Sequence, residues 1–441
     1  MTKTVRLLAA GAVVALFAAA CSSSSSGGSP SPGSTATGGN TASAPGVTAN
    51  SVLIGSHQPL TGIAAPGYDE IAPASNAYFK YVNAHGGING RKILYTYLDD
   101  GYDPSRTVTD VHQLVEKNKV FAIFNGLGTP THQAVVPFLN QQKVPDLFVA
   151  SGCLCWNSPS TAPETFGWQP DYYREGKILG NYVADKFKGQ KIAIFAQNDD
   201  FGQNGIKGLK QELPASQIAT TQMYNPTNTN VVPLVQKIQQ SGAKVVVSFS
   251  VPAFTALLQL TSLELKYSPQ LVVSTVGSDP KTLAGLITTY SKGLAPGPHL
   301  IQGIITDGYL VSPADPSNPW IKLFQKIHDT YIPKLPFDGN VEYGMAAAYT
   351  FAQALKAAGQ NPTRDSIVSA IESSHFTGPG LTPFAYSSTD HSGYTGAQIG
   401  IIRGLAIHPI GQPLTTDDGT GPITPYTTPQ PAAPANGVPS D

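Results

Sequence analysis

The stretch NGLGTPTHQAV, residues 125–135, follows the apolar run VFAIF and precedes residues at helical spacing. A strand-to-helix turn of this make-up offers unpaired backbone amides with partial positive charge, which suit the anionic or polar end of a ligand. Gly126 and Gly128 let backbone come close, and Thr129 and Thr131 add hydroxyls. The simpler reading, in which Thr129 only caps the following helix, is compatible with the first. Other chemistries fail on spacing. GLGTPTH has no Walker lysine, and no G-x-G-x-x-G follows the first strand. G-x-S-x-G and H-E-x-x-H are also missing. In LDDGYDPSRTVTD the glycine falls too early, and no glutamate closes a calcium loop. The histidines are scattered; His57 and His132 could face a cleft, but a lone histidine is more often structural or a single hydrogen-bond donor. No enzyme activity, metal site or cofactor is expected.

Two further features bear on location. MTKTVRLLAAGAVVALFAAAC has Lys3 and Arg6, a short apolar stretch and small residues up to Cys21. That is the layout of a signal peptide, and a cysteine directly after AAA resembles a bacterial lipobox, with Cys21 the lipidated residue. Residues 22–49 are dominated by Ser, Gly, Thr and Pro and are expected to be a flexible tether. Residues 413–441, rich in Pro and Thr, are expected to be a disordered tail. Basic and acidic residues number 27 and 28, so no nucleic-acid footprint exists. Setting Cys21 aside leaves Cys153 and Cys155, which outside the cell could form a tight C-x-C disulfide, stay reduced, or do metal or redox work.

The elements that must position these residues alternate. SVLIGSHQ, RKILYTYLDD, VFAIFN and PDLFVAS read as strands separated by helical patterns. Asp103-Pro104 opens the helix PSRTVTDVHQLVEKN, and PTHQAVVPFLNQQ is a further helix. The pattern restarts with KIAIFAQ, QIATTQMY, KVVVSFS and QLVVSTV as strands, with helices near 173–187, 202–213, 229–241 and 253–265. Two successive α/β units with parallel sheets imply two lobes, and ligands bind such sheets off the carboxyl ends of the strands.

In order along the chain, IGSHQPLTG, AYFKYVNAHGGINGRKILYTYLDDGYDPSRTV, GTPTHQA, KVPDLFVASG and GWQPDYYREGK resemble the leucine/isoleucine/valine-binding type of ABC-transporter solute receptor, over about 51–410. The resemblance implies a type I periplasmic-binding fold: two doubly wound parallel-sheet lobes joined by three crossovers, here near 166–169, 303–306 and 378–380. It divides the chain into a first lobe (50–166, completed by 306–378) and a second (167–305, completed by 379–412). It also implies that the lobes close on a small ligand by hinge motion and dock on a membrane permease. The ligand carboxylate would be held by Gly128, Thr129 and Thr131 and by the strand end Ala150, Ser151 and Gly152. Thr61 and Gly62 would wall the same side. From the second lobe come Phe201, Ser250 and the loop Val276, Gly277 and Ser278, while Trp156 and Tyr172 would add apolar walls.

Two departures stand out. Val276 occupies the position where the family's amino-acid binders carry an acid for the ligand ammonium, with Asp279 nearby but displaced. Gly128 replaces a hydroxyl central to carboxylate binding. The expected protein is therefore a monomeric, lipid-anchored receptor on the outer face of the membrane. It would feed an ABC permease with a branched-chain amino acid or a related small carboxylate or amide. A sensor subunit and a secreted hydrolase are the rival readings.

Overall fold

The computed structural model describes residues 39–373 and 375–439. The signal peptide, Cys21 and the tether as far as residue 38 lie outside the described residues. In the first lobe, β1 (Ser51–Gln58), β2 (Lys92–Asp99), β3 (Ile123–Phe124) and β4 (Asp146–Leu147) form a parallel sheet in the order β2-β1-β3-β4. The strands are pinned by their neighbours. Helix Ile71–Ala84 presents Phe79 to Phe124 and Phe351 at ring distances of 5.5 and 5.8 Å. Phe351 belongs to helix Gly339–Ala357, whose alanine-rich length is buried almost throughout. A helix apolar on nearly every side has to lie inside the body, and this one packs against Ile71–Ala84.

The second lobe carries β5 (Ile192–Gln197), β6 (Ile218–Tyr224), β7 (Val245–Phe249), β8 (Gln270–Val273) and β9 (Ile305–Gly308), all mutually parallel. Runs such as IAIFA and VVVSF are buried at every position, as strands covered on both faces by helices must be. Beyond β9 the chain returns to the first lobe through helices Pro319–Tyr331, Gly339–Ala357 and Arg364–Ser373. A hairpin of β10 (Phe384–Ser387) and β11 (Asp390–Tyr394) follows. Next, β12 (Gly396–Arg403) runs antiparallel to β9, with β13 (Ala406–Pro409) and β14 (Leu414–Thr415) on β12, and β15 (Thr424–Pro425) on β14.

Four expectations are corrected. The helix drawn over 130–142 is two short ones, Thr129–Gln133 and Val136–Gln141. Pro137 would clash with the carbonyl four residues back, so the second helix restarts with proline in its first turn. The last crossover lies at Thr395 rather than 378–380, because Phe384, Tyr386 and Tyr394 of the hairpin belong to the first lobe's core. The tether is docked from Asn40 onward: Ser43 donates to Pro362 O, and Arg91 holds the Thr41 carbonyl and Asn361. Nor is the stretch 413–439 loose. Trp320 Nε1 donates to Pro431 O, Tyr78 to Gly437 O and Tyr81 to Asn436 O, while Val438 enters the core. At the other lobe, buried Lys177 donates to Asp417 Oδ1 and to the carbonyls of Gly419 and Gly421. Composition suggested disorder, yet these buried donors need acceptors, and the tail's carbonyls supply them.

Candidate functional site

Between the lobes lies a cavity of about 440 Å³, within the ~300–1,000 Å³ common for small-molecule sites. It is closed by hydrogen bonds that cross from lobe to lobe. Tyr68 donates its hydroxyl to Val276 O (2.7 Å), and Gln197 donates to the Tyr102 hydroxyl (3.2 Å). Gln133 donates to Asp200 Oδ2 (2.6 Å), and the Leu154 amide to Asn204 Oδ1 (2.9 Å). On the opposite rim Lys281 reaches Phe337 O (2.6 Å), the Gly339 amide reaches Asp279 Oδ2 (3.1 Å), and Asn340 reaches Thr282 (3.1 Å). These hydrogen bonds hold the two lobes together across the cavity.

Of the residues singled out from sequence, Gly128, Thr129, Ala150, Tyr172, Phe201, Val276 and Ser278 line the cavity. Gly128 has φ +104°, and a Cβ there would lie 2.4 Å from Thr131 Oγ1 and 2.6 Å from the Tyr102 ring. The glycine is therefore demanded by the turn. No side chain caps the helix that starts at Thr129. The Thr129 hydroxyl pairs with Ser151 Oγ at 2.7 Å. Tyr172 and Phe201 pack ring to ring at 4.4 Å and form an apolar wall.

The other candidates lie outside the lining, each for a visible reason. Thr61 is exposed and donates to Asp99 Oδ2 (2.6 Å); Gly62 lies against Gly101. Thr131 gives its hydroxyl to Leu127 O (2.6 Å) and braces the turn from behind. Ser151 supports Thr129 from below. Gly152 abuts Pro170 O, and Trp156 is buried with its ring edge on His132. The Ser250 hydroxyl sits between Ser248 and Thr255 at 2.6 and 2.7 Å, with Gly277 pressed on its carbonyl. Cys153 and Cys155 are joined as a disulfide beside Gln133, at the rim where the lobes meet. His57 and His132 do not face the cleft. They form a buried chain with Asp100 and Asp146 at 2.7, 2.9 and 2.8 Å, beneath Gly126.

The structure also adds residues that sequence reasoning passed over: Tyr68, Tyr102, Gln169, Asp307, Tyr309 and Glu342 all reach the cavity. Every ionisable lining side chain other than the tyrosines is an acid: Asp279, Asp307, Asp315 and Glu342. Asp307 and Glu175 both accept the Thr275 amide, at 3.0 and 2.8 Å. Burial and the neighbouring Glu175 push Asp307 far above the usual carboxylate range, so the pair shares a proton. Burial does the same to Glu342. Burial likewise keeps the phenols of Tyr68 and Tyr102 protonated. The only sequence hint for Glu342 was one acid within the largely apolar stretch NVEYGMAAAY.

A family model described as "Periplasmic binding protein" matches residues 51–403. The chain belongs to that family, and its sheets and lobes have the type I arrangement. A curated relative, Leu/Ile/Val-binding protein homolog 2 of Brucella abortus, is 27% identical over 210 residues, 44% of this chain and 53% of its own. The chain thus spans about half the length of that relative. A branched chain amino acid ABC transporter protein from Thermus thermophilus with bound valine superposes with a TM-score of 0.71 at 20% identity, covering 84% of this chain and 97% of its own. A fatty acid ABC transporter substrate-binding protein from Thermomonospora curvata gives 0.71 at 20%, covering 87% and 98%.

Proposed function

We propose that this protein is an extracytoplasmic receptor, lipid-anchored through Cys21, that captures a small solute between its lobes and delivers it to an ABC permease. The observation that carries this reading is the cavity between the lobes, bridged by hydrogen bonds from one lobe to the other. A solute that touches both halves stabilises the closed form in proportion to its preference for it. The wall of Tyr172, Phe201, Val276 and Tyr309 suits an apolar body, and Gly128, Thr129 and Ala150 suit a polar end. A branched-chain amino acid or a related small carboxylate or amide fits that description. The structural neighbours, one with bound valine and one a fatty acid carrier, support a ligand with an apolar body.

Thermal-shift screening against amino acids, amines, fatty acids and amides tests the proposal. A ligand at 100 times Kd adds about 2.7 kcal/mol of apparent stability. Thr129→Ala should weaken the bound ligand about tenfold, the ~1.4 kcal/mol of one hydrogen bond, with the unfolding midpoint little changed. A receptor reading would not survive a panel in which no solute class shifts the melting curve.

A further inference from the structure

We propose that Glu342 is the anchor for a protonated amine, and that the solute is an amine-bearing molecule with an apolar body. This deepens the receptor reading and rests on it. Glu342 lies in the first turn of helix Gly339–Ala357, is 2% exposed, and lines the cavity. Among the described residues its carboxyl has no hydrogen-bond partner. The titratable groups acting on it are Asp338, one turn back on the same helix, and the Tyr394 phenol. Neither is a cation. The other acids of the lining are occupied: Asp279 by the amides of Thr282 and Gly339, Asp307 by Thr275, Asp315 by Ser317. Among the described residues, Glu342 is the one lining acid that accepts no hydrogen bond.

The lining contains no lysine, arginine or histidine. An anion without an amine would enter a cavity that already holds four acids and no base, and buried charge without a partner is strongly disfavoured. An ammonium reverses the balance. On binding, Glu342 gives its proton to solvent, the ligand keeps its own, and ammonium and carboxylate pair inside the closed cleft. This supplies from the first lobe the acid that is missing at Val276 in the second. An amino acid and a simple amine share this chemistry, and their arms in the experiment separate them.

The experiment is calorimetric titration of the full chain and of Glu342→Gln with phenethylamine, L-phenylalanine, L-leucine, phenylacetate and phenylacetamide. The expected result is binding of an amine-bearing probe, weakened at least about 100-fold in the variant, or ~2.7 kcal/mol. Wild-type affinity should rise with pH, and binding should release a proton, read from heats in two buffers of unlike ionisation enthalpy. The variant should show neither. Preference for L-phenylalanine over phenethylamine would identify an amino acid, and the reverse a simple amine. The proton release needs no variant, so a misfolded Glu342→Gln would leave the test intact. The proposal is overturned if amine binding releases no proton, if the folded variant binds the amine equally well, or if no amine binds. Binding of phenylacetate or phenylacetamide in place of amines would sink the amine and leave the receptor standing. Failure of every probe class to bind would count against both.

Discussion

At Gly128 the backbone adopts φ +104° with Thr131 and the Tyr102 ring closing in on the position of a Cβ. Gly128→Ala should therefore cost about 1–3 kcal/mol in urea unfolding, through strain and displaced neighbours. It should also lower ligand affinity, since Thr129 would shift with the turn. An unchanged midpoint would show that the turn tolerates a side chain. A second residue-scale effect comes from Glu70 and Asp338. Burial, then their mutual repulsion, raises Glu70 to about 9; burial, then the charge of Asp279, raises Asp338 to about 7. Both carboxyls bind protons more tightly folded than unfolded. Their contribution to stability is therefore greatest at acid pH and falls as pH rises from roughly 4 to 9. Glu70→Gln keeps the neutral shape and should be more stable than wild type by roughly 1–3 kcal/mol at pH 9, yet equal at pH 4. Chemical denaturation at the two pH values checks the sign.

Among the elements, the strand-to-helix turn at 125–129 and the helices flanking the cleft do the positioning. The rim contacts Lys281 to Phe337 O and Asn340 to Thr282 tie the first turn of Pro280–Tyr290 to the start of Gly339–Ala357. Lys281→Ala together with Asn340→Ala should shift the hinge toward the open form and weaken ligand binding by roughly 5- to 30-fold, about 1–2 kcal/mol for two hydrogen bonds. Stopped-flow measurement should place most of the change in dissociation. Strands were legible because apolar runs such as SVLIGSHQ, KVVVSFS and IAIFA carry the burial signal in their own letters. The turn at Gly128 and the wall of Tyr172 and Phe201 were legible through glycine chemistry and family resemblance. Glu342, Asp307 and Tyr68 were not, because no local pattern distinguishes an acid that faces a cavity from one that faces water. Ser250 and Trp156 misled for the converse reason: a hydroxyl or an indole satisfied in the core has the same letter as one that meets a ligand.

For the whole molecule, the largest departure from expectation is the end of the chain. Deleting residues 413–441 should strip acceptors from Trp320, Tyr78, Tyr81 and Lys177, at about 1 kcal/mol or more for each buried donor left bare. A loss of several kcal/mol in urea unfolding is expected, and a truncated protein as stable as the full chain would contradict the packing described.

The same segment has a mechanical consequence. The Tyr426 amide is stitched to Pro413 O on one half, and Gln430 meets Pro379 O and Asn318 on the other. Four peptide steps can stretch only to about 14 Å. A leash that short sets how widely the jaws can gape while both knots hold. Because Gln430 also borders the chamber, a solute arriving there would touch the very knot that limits its own entry and release.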